Sequence, residues 1–150
     1  MSESDRDPAL APRIDLAFTW RYSHAFGALA PYFDGLRAGR AMATRCAACG
    51  HTWFPPRLAC PAHGERTQWL TLSGEGQVAA ATLTTVSLPL AGRGLRAWLA
   101  LIALDGADNQ AIGRIAADVL VRPGLRVRLA VDEEPVAHPA QAAVFVPIDR

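Results

Sequence analysis

Every cysteine of this 150-residue chain falls in one stretch, Cys46 to Gly64, reading CAACGHTWFPPRLACPAHG. It consists of two short arms, Cys46-x-x-Cys49-Gly50 and Cys60-x-x-His63-Gly64, with ten residues between Cys49 and Cys60. Two residues between ligands let one tight turn present both side chains to an ion, and tetrahedral Zn²⁺ takes four N or S ligands at about 2.0–2.3 Å. The glycine after each arm adopts positive φ at little cost, so the backbone can turn away once the ligands are placed. Three thiolates and an imidazole leave no open position for water, which makes the implied zinc structural. An electron-transfer iron of the rubredoxin type would call for four thiolates. His51 is the rival to His63 for the fourth position, but it breaks the symmetry of the arms. A disulfide would leave one of three cysteines over and would not account for two equal spacings.

The elements that must hold these arms can be read outward from them. Between the arms, Trp53 and Phe54 either shield the metal or face a ligand, and the paired prolines Pro55 and Pro56 impose an extended strip ending at Arg57. Before them, Ser23 is a candidate cap for a helix carrying Phe26, Leu29, Phe33 and Leu36 on one face, with Pro31 expected to kink it and Gly39 to end it. These aromatics pack either on the rest of the chain or against a partner protein.

From Trp69 onward the pattern has period two. Trp69 to Ser73 reads as a strand opening, Ser73 to Gly76 as a turn or bulge, and Gln77 to Leu88 as a long strand. Pro89 to Leu95 forms a hairpin loop, Arg96 to Asp105 and Gln110 to Ala117 are strands, and Pro123-Gly124 turns into the next. There Leu125, Val127, Leu129 and Val131 face one way, and Arg126, Arg128 and Asp132 the other. A last strand, Ala142 to Ile148, follows a Pro-broken linker at 135–139. Such curved strands with glycine-marked bends suit a small closed barrel, an OB-fold, because closure removes exposed edges. Ala97 to Leu104 is apolar on both faces: one fills the barrel, and the other needs the ribbon, the helix or a partner to cover it.

Composition limits the rest. With 51% hydrophobic residues, 150 positions bury one modest core and a metal-stapled lobe. A net charge of +1 gives no field that would select nucleic acid or an anionic membrane. No apolar run approaches the roughly 20 residues of a transmembrane helix. The N-terminus is polar and lacks a basic region followed by an apolar one, so it reads as a disordered leader. Metal-type cysteine spacing points to a reducing, cytoplasmic setting. No G-x-S-x-G elbow occurs, His24 and His138 have no evident nucleophile to activate, and Asp105, Asp108 and Asp118 fall in turns, where solvated carboxylates are the default.

Taken in order, GLRAGR at 35–40, Arg45-Cys46-x-x-Cys49-Gly50, Pro55-Pro56-Arg57-x-x-Cys60-Pro61, Trp69 and Ser73-Gly74-x-Gly76 resemble the DUF35 family. The resemblance covers nearly everything after residue 14. It implies a rubredoxin-like zinc ribbon followed by an OB-fold, in accessory subunits that assemble with thiolase-superfamily enzymes of acyl-CoA metabolism. His63 stands where the family pattern usually has a fourth cysteine.

The expected organisation is mainly β with an N-terminal helix: a leader at 1–13, a helical segment at 14–42, the zinc ribbon at 43–68 and the OB-fold at 69–150. Structural Zn²⁺ is expected on Cys46, Cys49, Cys60 and His63. The expected function is that of a non-catalytic subunit that binds a thiolase-like enzyme and helps hold an acyl-CoA. Trp53, Phe54, Arg57, Arg93 and Arg96 are candidate contacts for CoA or the partner. The alternative is single-stranded nucleic-acid binding, which zinc ribbons and OB-folds both serve, although the balanced charge argues against a basic groove.

Overall fold

The computed structural model describes residues 23, 25–84, 96–131 and 142–148. The expected leader, His24, Arg93, the hairpin loop at 89–95 and the linker at 135–139 lie outside the described residues.

A 3-10 turn, Gly27–Leu29, leads into the helix α1, Ala30–Arg37. The helix therefore starts later than a cap at Ser23 would place it, and Pro31 begins it instead of kinking it. In the first turn the missing proline N–H is not needed and the fixed φ is already helical. One face of α1 buries Tyr32, Phe33, Gly35 and Leu36. Phe33 stacks on Phe26 with ring centroids 3.9 Å apart, and Tyr32 meets Phe54 edge-on at 5.7 Å. The aromatic face of the helix is thus covered by its own chain.

Three strands form the first sheet, in the order β2 (Thr52–Trp53), β1 (Ala41–Arg45), β3 (Gln68–Leu72). All pairing is antiparallel, with Thr44 opposite both Trp53 and Trp69. The strand around Trp69, expected to open the barrel, pairs with β1 and belongs to this sheet. Gly74, at φ +81°, turns the chain out of it, and its carbonyl accepts a hydrogen bond from the Leu129 N–H at 2.7 Å.

The barrel proper comprises β4 (Glu75–Thr84), β5 (Ala97–Leu104), β6 (Gln110–Ala116), β7 (Arg126–Ala130) and β8 (Val144–Pro147). It closes in the order β4-β5-β6-β8-β7. A single parallel pairing, Arg114 with Val144, joins β6 to β8. A three-strand meander closed by a crossed final pair is an OB-like topology.

Inward-facing Val78, Ile102, Leu104, Ile115, Val127 and Phe145 are each at most 2% exposed and fill the barrel. A methyl at Gly113 would collide with the Phe145 ring, so the aromatic occupies the space a side chain there would need. The register between β4 and β5 shifts between Val78 and Ala80, a bulge that lets the long strand coil. In β7 the alternation holds for Val127 and Leu129, but Val131, expected on the inner face, lies beyond the strand end and is 54% exposed.

On the other side of the barrel wall Leu99, Leu101 and Ile112 point outward, and neither the ribbon nor α1 lies over Leu101 or Ile112, which stay exposed.

Candidate metal centre

The two arms fold as near copies of each other. In the first, the Gly50 N–H donates to the Cys46 carbonyl at 2.9 Å and the Cys46 N–H to the His51 carbonyl at 3.0 Å. In the second, the Gly64 N–H donates to the Cys60 carbonyl at 2.8 Å and the Cys60 N–H to the Glu65 carbonyl at 2.9 Å. Gly50 and Gly64 take φ of +74° and +69°, which reverses the chain straight after the second ligand of each arm. The Arg45 Nε–H braces the first arm through the Gly50 carbonyl at 2.9 Å.

These turns aim four donor atoms at one point. His63 Nδ1 lies 3.3 Å from Cys60 Sγ and 3.8 Å from Cys46 Sγ, and Cys49 Sγ lies 3.9 Å from Cys60 Sγ. All four donors fall within 4.8 Å of one another. A tetrahedral ion with bonds of about 2.0–2.3 Å has edges of roughly 3.3–3.8 Å, so the donors fit zinc with little movement. The imidazole of His63 holds the Cys60 thiol down at about 6, which favours the thiolate that a metal requires. Zinc held by this closed donor set supplies folding energy and leaves no position for a substrate.

Trp53 is 7% exposed and packs with Cys46 and Cys60, so it shields the metal side. Phe54 is fully buried in the main core against Tyr32 and has no surface to offer a ligand. His51 stays outside the donor cluster, its ring 4.4 Å from that of Trp53. Arg57 and Arg96 are exposed, on the ribbon and at the start of β5 respectively. The backbone of Arg57 is clamped by buried Thr44, whose Oγ1 donates to the Arg57 carbonyl at 2.8 Å and accepts from its N–H at 2.9 Å. Thr67 Oγ1 donates to the same carbonyl. The structure therefore gathers the four metal donors and leaves the candidate contacts Arg57 and Arg96 outside the cluster.

Residues 33–66 match the family described as ChsH2, rubredoxin-like zinc ribbon domain. That match spans the ribbon and the end of the helix before it. Two solved structures share the fold of nearly the whole chain. One, titled "Ltp2-ChsH2(DUF35) aldolase", is 22% identical with a TM-score of 0.61, over 84% of this chain and 98% of that one. The other is a DUF35-family protein of unknown function from Sulfolobus solfataricus, 16% identical with a TM-score of 0.57, over 80% of this chain and 87% of that one. Together these bear out the DUF35 resemblance read from the ordered motifs. A search of curated protein sequences finds no match.

The ribbon is fastened to the barrel by a junction that sequence reading missed. The turn after β5 carries Asp108 and Asn109. Asp108 Oδ2 accepts from the Thr52 N–H at 2.8 Å, and the Asp108 N–H donates to the Thr52 carbonyl at 2.9 Å. Asn109 Oδ1 accepts from the Phe54 N–H at 2.9 Å, while its Nδ2 donates to the Phe54 carbonyl at 3.0 Å. Asp108, expected as a solvated turn carboxylate, thus extends the ribbon strand β2 as a neighbouring strand would. The available signal was an Asp-Asn pair closing a turn after a strongly apolar strand, since both side chains readily mimic backbone partners.

Proposed function

We propose that this chain is a non-catalytic accessory subunit that docks on a thiolase-superfamily enzyme and helps hold an acyl-CoA thioester. The observation that carries the reading is the aliphatic outer wall of the barrel. Leu101 and Ile112 are register partners on β5 and β6, 39% and 45% exposed. With Ala80, Thr82 and Leu99 they border an apolar hollow of about 320 Å³. In OB-folds the face made by the second and third strands is where ligands sit, and here those strands are β5 and β6. An exposed apolar surface at that place suits a protein partner better than a sugar or an oligonucleotide, which ask for polar or stacking groups.

The fold shared with a structure titled as an aldolase with a DUF35 component supports the same reading. In such an assembly the partner supplies nucleophile and base, because the three thiols of this chain serve as ribbon ligands. This chain contributes orientation, lowering the entropic cost of placing the thioester. Arg57 and Arg96 are assigned to contact CoA phosphates or partner carboxylates, with Arg93 in the same role. Trp53 and Phe54 act indirectly, by fixing the strip that carries Arg57. Nucleic-acid binding asks for stacking aromatics and cations on the ligand face, where Leu99, Leu101 and Ile112 stand instead.

The test is native co-purification with mass identification, using the full chain and a Leu101→Asp/Ile112→Asp variant. A thiolase-superfamily enzyme recovered in near-stoichiometric amount with the parent chain, and at least tenfold less with the variant while zinc is retained, is the expected result. Recovery of the parent chain alone, or undiminished recovery with the variant, would overturn the reading.

A further inference from the structure

The four donors of the ribbon are unequally sheltered. Cys46 and Cys60 are 1% and 2% exposed and pack with Trp53, whereas Cys49 and His63 face solvent. The Cys49 Sγ is 3.9 Å from the Cys60 Sγ, so an approach of about 2 Å brings the two sulfurs to disulfide length. Because the chain has three cysteines, any internal disulfide consumes two of the three thiolate donors and leaves the third unpaired. A Cys49–Cys60 link would take one ligand from each arm.

We propose that Cys49 is a site of reversible oxidation by hydroperoxides, with Cys60 as its resolving thiol, and that the disulfide between them opens the zinc ribbon. This inference stands independently of the accessory role. The Cys49 thiolate attacks one peroxide oxygen. An S–O bond forms as the O–O bond breaks, and the departing alkoxide or hydroxide takes a proton from water, leaving a sulfenic acid. The Cys60 thiolate then attacks that sulfur: the S–S bond forms, the S–O bond breaks, and hydroxide leaves as water after protonation. The two thiolates lose two electrons and the hydroperoxide gains them.

Exposure sets the order of events. A peroxide reaches Cys49 from solvent, while the buried pair is covered, and access decides which sulfur meets the oxidant first. After the disulfide forms, Cys46 and His63 are the two donors left, one on each arm, which is too few to retain the ion against water. Trp53 then loses the packing it shares with Cys46 and Cys60. The change is transmitted to β2, because Trp53 lies between the two residues, Thr52 and Phe54, that bond to Asp108 and Asn109. A dithiol reductant with zinc reverses it.

The experiment treats the zinc-loaded chain with increasing equivalents of hydrogen peroxide. Zinc is followed with a chromophoric chelator, thiols by counting, and linkage by peptide mass mapping. Zinc release in step with the loss of two thiols, a Cys49–Cys60 linked peptide, an alkylatable Cys46, and restoration by dithiothreitol plus zinc are expected. Cys49→His keeps four N or S donors and should slow release at least tenfold. If that variant does not fold, the linkage map of the unaltered chain decides. Zinc retained with thiols intact, a first disulfide that includes Cys46, or thiol loss that dithiothreitol does not reverse each overturns the proposal.

Discussion

Asp108 and Thr52 exchange two hydrogen bonds across the junction of ribbon and barrel, Thr52 N–H to Asp108 Oδ2 at 2.8 Å and Asp108 N–H to the Thr52 carbonyl at 2.9 Å. They are 56 residues apart in the chain, and Thr52 is buried. Removing the carboxylate leaves a sheltered backbone donor without its partner. Asp108→Ala is therefore expected to cost roughly 1–2 kcal/mol, while Asp108→Asn, which keeps an acceptor, should cost less than half of that. Denaturant unfolding of the three proteins checks it, and equal stabilities would remove the junction from the forces that hold the two lobes together.

The metal assignment separates the two histidines of the ribbon. His63→Ala deletes a donor from the cluster, and the zinc content of purified protein should fall from about one per chain, with affinity reduced more than tenfold. His51→Ala should leave zinc binding within about twofold, at the cost of about 0.5 kcal/mol for its ring contact with Trp53. Metal analysis after dialysis against a chelator distinguishes them, and a reversed ranking would move the fourth ligand to His51.

Arg126 grips Asp105 with two bonds, Nη1 to Oδ1 at 3.1 Å and Nη2 to Oδ2 at 2.7 Å, with Glu75 Oε2 at 3.3 Å from the same Nη2. The guanidinium holds the Asp105 carboxyl below its ordinary range. A carboxylate depressed in the folded state contributes stability that is complete above the unfolded value of about 3.9 and is lost as pH falls through the folded one. Both side chains are partly exposed, so solvent screening keeps the contribution small. In Arg126→Gln the Asp105 midpoint seen by carboxyl NMR should rise toward the ordinary value. The stability gap between parent and variant, present at pH 7, should narrow below about pH 4. An unmoved midpoint would contradict this.

Tyr32 is 2% exposed, and its hydroxyl has no hydrogen-bond partner among the described residues. Burial pushes the phenol above its ordinary range, keeping it neutral. An unpaired buried hydroxyl gives nothing back for its desolvation, so Tyr32→Phe should leave stability unchanged or raise it by up to about 1 kcal/mol. A loss greater than that on thermal unfolding would show that the hydroxyl is bonded after all.

What the chain disclosed in one dimension was local. The spacing of Cys46, Cys49, Cys60 and His63, each arm closed by glycine, specified the knuckles, because ligand reach and positive φ are set within four or five residues. Period-two alternation in Val127 and Leu129, and the breaks at Gly74 and Pro123-Gly124, marked the strands for the same reason. Three-dimensional packing decided the rest. Which sheet took the strand at Trp69 depended on its pairing with Ala41–Arg45, and alternation reads the same in either sheet. Whether Phe54 was surface or core depended on Tyr32, 22 residues away, whose ring covers it. The bond between Asp108 and the ribbon strand arose because barrel closure carries the turn after β5 to the open side of Thr52. No pattern confined to a short window reports such a contact, since its energy comes from groups that only the folded chain makes neighbours.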